Sequence, residues 1–308
     1  MPKIVGIGET VYDILFENNH PVNGTPGGSI FNALISLSRL QQQTEFISEI
    51  GNDHVGEVIV NFLQQNKVGT SHVVRHNNAK TTLVLAFLDE ERKANYTFYK
   101  EPFKQEVHRK LPNIQQDDIL LFGSFFSLEA TIRKQVLHVL QTAHAQQATI
   151  YYDINFRKAY ASKRVELLPT VIENMQFADI VKGSDEDFAY LYQESDPQKI
   201  YNQHIAPHCP IFIYTQGAAG ARLFTPTFSF HLPSHIITPI STIGAGDNFN
   251  AGVLFGLMQH DRKTLAQLDI EQWKIILQQG IDCATHVCTL YENHLSTEFA
   301  KAKIELLS

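Results

Sequence analysis

The sequence predicts an α/β fold built on a mostly parallel sheet. Short apolar runs of strand length alternate with amphipathic stretches of helical length along 308 residues. That alternation marks repeated strand–helix–strand units. No internal repeat, low-complexity linker or apolar run near the ~18 residues that span a bilayer interrupts it.

Residues 4–8 read as a first strand. Over 29–40, Ile30, Ala33, Leu34, Leu37 and Leu40 recur at helical spacing. Residues 46–50 predict a strand and 55–63 a helix. Further buried strands are expected at 119–122, 149–152, 180–181 and 211–214, with helices at 128–143 and 165–177. One segment departs from the alternation. The β-prone runs 82–88 and 95–100, joined by a charged loop at 89–93, predict an antiparallel hairpin. Such an insertion suits a lid that keeps water from a reacting site; an antiparallel edge pair of the main sheet is the alternative. We expect one domain over 1–308, with a β lid drawn from about 11–24 and 80–102.

The chain is 44% hydrophobic and 19% charged, with a net charge of -7. That balance argues against a general nucleic-acid surface, which needs a basic stripe to displace counterions. Cys209, Cys283 and Cys288 form no CxxC pair and no zinc spacing. They are expected to be buried thiols in a reducing compartment. Residues 1–8 lack the charged and apolar regions of a signal peptide, so the expected location is the cytoplasm. The glycosylation sequons at 23–25 and 95–97 then read as chance, and none of the fourteen histidines is assigned a catalytic role.

Two phosphate motifs are excluded. Gly6-Ile7-Gly8 follows a strand, but the third glycine of GxGxxG would fall at Val11, and no GxxxxGK[ST] occurs. The informative run is Gly244-Ala245-Gly246-Asp247 before the apolar stretch 249–258. Small residues at a helix start expose consecutive backbone N–H groups beside the positive helix end, an anion site. An aspartate there repels phosphate. It makes sense as a base that takes a proton from a hydroxyl while the amides hold a transferring phosphoryl group. A plain N-terminal cap is the alternative.

Residues 243–249 resemble the DTxGAGDxF signature of the PfkB (ribokinase-like) carbohydrate kinases. Pro26-Gly27-Gly28 through Asn32 resembles that family's GGxxxN element, Gly51–Gly56 its GxDxxG and Thr215–Gly220 its TxGxxG. The four lie in the family's order. Gly8-Glu9 with Asp13, Phe98-Tyr99-Lys100, the run 152–157 and the run 179–187 are most similar to fructokinases, and several are shared with 2-keto-3-deoxygluconate kinases.

The resemblance implies a three-layer α/β/α ribokinase-like fold and an ATP-dependent transfer to a sugar hydroxyl, fructose first among the candidates. Other implied acceptors are 2-keto-3-deoxygluconate, ribose or a nucleoside. An inactive sugar sensor on the same fold is the rival of another class. Asp247 is the implied base, with Gly244, Ala245 and Gly246 donating to the γ-phosphate. Asp13, Gly28 and Asn32 would cradle the sugar. Lys100 and Arg157 would meet an acidic end of substrate or product, or else form a surface ion pair. Lys182, Ser184, Thr215, Gly217 and Gly220 would line the nucleotide, and Asp187 would organise magnesium through water. Taken alone, Asp13 reads equally as a turn residue, Asn32 as a solvated helix position and Asp187 as part of an acidic helix face. Ser241 stands where the signature has aspartate, so the monovalent cation linked to that position in relatives is not implied here. Asp282 and His286 depart from the family in the region that flanks adenine. Relatives pair through the lid, which implies a homodimer.

Overall fold

The computed structural model describes residues 2–89, 94–101, 103, 111–260 and 262–306. Strands β1 (Ile4–Ile7), β2 (Val11–Glu17) and β3 (His20–Gly27) lead into helix α1 (Ser29–Arg39). Then follow β4 (Thr44–Gly51), α2 (His54–Gln65) and β5 (Gly69–His76), and next β6 (Leu83–Leu88) and β7 (Ala94–Tyr99). The central stretch runs β8 (Ile119–Gly123), α3 (Arg133–Ala145), β9 (Thr149–Asp153), α4 (Arg164–Phe177), β10 (Ile180–Ser184), α5 (Asp185–Leu191) and α6 (Pro197–Ile200). The last part holds β11 (Ile211–Thr215), β12 (Ala221–Phe224), β13 (Ser229–Leu232), α7 (Ala245–Leu257), α8 (Ile270–Cys288) and α9 (Thr297–Glu305).

The main sheet has the order β13-β12-β11-β10-β9-β8-β1-β4-β5. It is parallel from β11 to β5, with an antiparallel edge at β12 and β13. Successive strand residues point to opposite faces, which builds two cores. Ile4, Leu121, Ile211 and Ile213 join the core beneath α1, α2, α7 and α8. Val5, Leu120, Phe122, Phe212 and Tyr214 join the core beneath α3, α4 and α5. The result is the expected three-layer α/β/α stack.

The expected hairpin is β6 and β7, antiparallel as predicted. It is not an edge of the main sheet. It joins β2 and β3 in a separate sheet of order β3-β2-β6-β7, in which β2 and β6 run parallel. Of the predicted loop 89–93, only Asp89 lies within the described residues.

Two further readings are corrected, and Gly6 and Gly8 gain a reason. The helix expected at 128–143 starts only at Arg133, after a 3-10 turn over Phe125–Leu128. Gly6 and Gly8 serve packing, since a Cβ there would lie 2.5 Å from Leu34 Cδ1 and 2.6 Å from Ile30 Cγ1 on α1. Cys209 and Cys283 are buried, but Cys288 is only half-buried. No helix among the described residues is long and apolar enough to cross a membrane.

Candidate active site

Parallel strands end at one edge of a sheet, where the following loops can meet. Here β1 leads to Glu9, β8 to Ser124, β9 to Asn155 and Arg157, and β11 ends on Thr215. The small sheet stands over the same edge. One cavity is lined by Glu9, Asp13, Gly28, Asn32, Lys100, Arg157, Gly244 and Asp247, with Tyr96, Phe98, Phe125 and Tyr160 as aromatic walls. Residues 234 positions apart in sequence, Asp13 and Asp247, thus share one space.

Gly28 precedes α1 at φ 126, a conformation costly for any side chain. A Cβ there would lie 2.4 Å from the Glu9 carbonyl oxygen. This tight entry sets α1 so that Asn32 faces the cavity. Asn32 is 4% exposed, which overturns the solvated reading. Its Nδ2 donates to Asp247 Oδ2 at 2.8 Å, and its Oδ1 has no partner among the described residues.

Gly244, in the left-handed region at φ 77, caps α7. The Ala245 N–H already donates to Thr242 O over a long 3.3 Å. The donors best placed for an anion are therefore the next amides, Gly246 and Asp247, since a helix offers its first-turn N–H groups no acceptor. Of the expected donors 244–246, the 245 amide is thus turned partly back by the Gly244 turn. Gly246 is exposed, and a Cβ on it would meet only Lys182 Nζ, at 3.3 Å. The lysine ammonium thus stands beside the amides.

Asp247 is 7% exposed. Burial pushes its carboxyl up to about 6, against the pull of the Asn32 hydrogen bond and Arg157. Asp13 is pushed up to about 7 by burial and by the charge of Asp247. Asn293 Nδ2 donates to Asp13 Oδ2 at 3.2 Å, while the Asn293 carbonyl accepts from Asn248 Nδ2 at 2.8 Å. Burial also pushes Glu9 up, with Lys100 and the Ser124 hydroxyl pulling the other way.

Lys100 lines the cavity and its Nζ pairs with Glu129 Oε2 at 2.9 Å. The expected contact with an acidic substrate end thus meets an ammonium already neutralised by a carboxylate. Arg157 lines the same space, with its guanidinium 5.9 Å from the Tyr96 ring.

The remaining expected residues lie away from this cavity, on the ends of β10 and β11. Lys182 Nζ pairs with Asp153 Oδ1 at 3.1 Å in a buried pair. Asp153 Oδ2 accepts from Asn250 Nδ2 at 2.7 Å, which ties β9 and β10 to α7. Ser184 and Thr215 are register partners. Gly217, at φ 51, faces open space, whereas a Cβ on Gly220 would lie 2.1 Å from Leu232 O. Asp187 is 5% exposed and forms a capping box with Ser184. Its Oδ2 accepts from Ser184 N at 2.6 Å and Oγ at 2.8 Å, and its Oδ1 from Phe156 N at 2.6 Å. Burial raises its pKa, with Lys182 opposing. It is neither an exposed acidic face nor an open ligand, because both oxygens serve protein donors. Ser241 is buried and accepts from Ile243 N at 3.2 Å. In the adenine-flanking region named above, Asp282 pairs with Lys303 at 3.0 Å and His235 at 2.9 Å.

Sequence reasoning gave no role to Glu9, Asp153, Asn155, Asn250 and Asn293. The first three stand within quoted motifs, and Asn155 carries a positive φ of 42. For Asn250 and Asn293 no sequence signal existed.

A buried carboxylate at the amide-rich start of a helix, sharing a cavity with a second carboxylate, suits phosphoryl transfer to a small hydroxylated molecule. Residues 1–290 match the pfkB family carbohydrate kinase, and the chain belongs to that family: it is a sugar kinase of a family that uses ATP. It is 26% identical to a fructokinase of Vibrio alginolyticus over 84% of this chain and 85% of that one. It is 26% identical to a probable fructokinase-7 of Arabidopsis thaliana, over 75% and 70% of the two. A Vibrio cholerae O395 fructokinase double mutant with bound fructose, ADP and potassium ion superposes at TM-score 0.86, 23% identity and 97% coverage of both chains. An aminoimidazole riboside kinase of Salmonella enterica superposes at TM-score 0.83, 21% identity, covering 99% of this chain and 100% of that one.

Proposed function

We propose that this sugar kinase transfers the γ-phosphoryl group of ATP to a hydroxyl of fructose. The observation that carries this reading is the buried Asp247 carboxylate at the start of α7, lining the same cavity as Asp13, Gly28 and Asn32. Asp13 and the free Oδ1 of Asn32 accept from sugar hydroxyls and orient one toward Asp247. Asp247 takes that hydroxyl's proton as the oxygen attacks the γ-phosphorus and ADP leaves. The Gly246 and Asp247 amides, helped by the Lys182 ammonium, hold the charge on the phosphoryl oxygens. Thr215, Gly217 and Gly220 border the nucleotide.

No group of three or more His, Cys, Asp or Glu among the described residues could hold a metal ion. Magnesium carried by the nucleotide would supply charge neutralisation. Asp187, with both oxygens accepting from protein donors, would reach it only through water. Sheet β3-β2-β6-β7 acts as the lid. Val22 and Tyr99, 49% and 60% exposed on that sheet, support a homodimer through it. We place the enzyme in the cytoplasm.

One observation favours a second acceptor class. Phe125 and Tyr160 stack at 4.0 Å and 3° in the cavity wall, a flat apolar face suited to the base of a riboside. Steady-state ADP release with fructose, ribose, 2-keto-3-deoxygluconate and adenosine decides between them. Fructose with the highest kcat/KM is the expected result. Adenosine in first place would transfer the assignment to a nucleoside, and binding without turnover of any acceptor would leave a sensor.

A further inference from the structure

The cavity wall and its surroundings hold a set of charges. Lys100 Nζ lies 2.9 Å from Glu129 Oε2 and 5.8 Å from the centre of the Phe125 ring. Glu9 feels Lys100, Glu129 and Arg157 together. Arg157 also faces Asp13 and Asp247. Lys100 and Arg157 stand among Glu9, Asp13, Asp247 and Glu129, Arg157 also feels Asp153 and Asp187, and Lys182 acts on Asp247 as a third cation.

A carboxylated or phosphorylated acceptor needs cations in surplus, arranged to take its anion by charge-assisted hydrogen bonds. Here Lys100 spends its charge on Glu129 of its own chain. A neutral polyol meets no such conflict, since the same carboxylates accept from its hydroxyls and the aromatic walls cover its carbon face.

We propose that Glu129, acting through Lys100, sets the acceptor class of this kinase, admitting neutral polyhydroxy compounds and rejecting sugar acids and sugar phosphates. This rests on the reading of the Asp13–Asp247 cavity as the acceptor site. Glu129 is a positioning residue: it touches Lys100 and lies outside the cavity lining.

The test compares kcat/KM for fructose and ribose with that for 2-keto-3-deoxygluconate and fructose 6-phosphate. The wild type should favour a neutral acceptor on the order of 100-fold, the scale of a like-charge mismatch. Glu129→Gln should move the anionic-to-neutral ratio about fivefold toward the anion, the upper range for a partly exposed ion pair. Lys100→Met should move it the other way. Higher salt should narrow the wild-type discrimination, which loss of mere structural support would not do. An unchanged ratio in Glu129→Gln, or a wild type that prefers an anionic acceptor, overturns the proposal. Should Glu129→Gln fail to fold, the wild-type ranking and Lys100→Met decide it. If no acceptor is turned over, the kinase reading of the site has failed. Ligand-induced thermal shifts with the same four compounds then read the charge preference alone, and a larger shift with an anion overturns it.

Discussion

Asp247→Asn removes a charge and keeps a shape. In the parent, Asp247 Oδ2 accepts from Asn32 Nδ2 at 2.8 Å. An amide oxygen can accept the same bond, so the cavity wall persists and acceptor affinity should hold within a few-fold. What is lost is the proton acceptor. A positioned general base contributes roughly 10²–10⁴ in rate, or about 2.7–5.4 kcal/mol of barrier at ~1.36 kcal/mol per decade. The wild-type pH profile carries the same claim. Burial lifts Asp247 from 3.8 to about 6. Its base form disappears as pH falls through that value, so kcat/KM should fall with pH below it. In the free enzyme Asp13, lifted to about 7, titrates alongside. The acid limb of kcat/KM therefore belongs to the pair. Initial rates of ADP release across the acid range, with calorimetric titration of the acceptor into both proteins, measure all three quantities. An asparagine variant within tenfold of wild-type kcat, or a profile flat to one unit below the Asp247 value, would refute Asp247 as the base.

Asp13→Asn should stabilise the unliganded protein while it abolishes acceptor binding. A carboxyl raised from 3.8 to about 7 by folding favours the native state when protonated, and that advantage is lost as pH rises through the raised value. Asp13 is only partly buried, so the gain is about 1–2 kcal/mol rather than the full shift. Melting scans should show a few degrees of increase on the alkaline side of neutrality, little in acid, and no response to sugar. Gly28→Ala forces a Cβ to within 2.4 Å of Glu9 O at φ 126. It should cost about 1–3 kcal/mol in urea unfolding and raise the acceptor KM more than it lowers kcat. Asp187→Ala deletes three accepted hydrogen bonds. It should lose about 1–3 kcal/mol of stability, with only a modest rise in the magnesium concentration needed for half activity; a magnesium requirement raised by orders of magnitude would make Asp187 a direct ligand.

The sequence by itself determined the α/β class and most of the parallel strands. Continuous apolar runs such as 119–122 and 211–214 call for burial on both faces, and both faces are covered. It also pointed to the helix start at 244–247, because Gly244 and Gly246 put no side chain over the amides there. It did not show that 82–88 and 95–100 belong to a second sheet. Pairing of β2 with β6 joins segments some 70 positions apart, and no local pattern records it. Nor did it reveal which partner each polar group takes. Asn32 is held by Asp247, Lys100 by Glu129, and Asp187 by its own helix cap. The Asn32 and Lys100 bonds, and the one Asp187 accepts from Phe156 N, link residues whose proximity is created by packing, and burial then sets the pKa of Asp13 and Asp247. Residue types and spacing define the chemistry available; only the tertiary structure decides which charges are spent within the chain and which face the substrate.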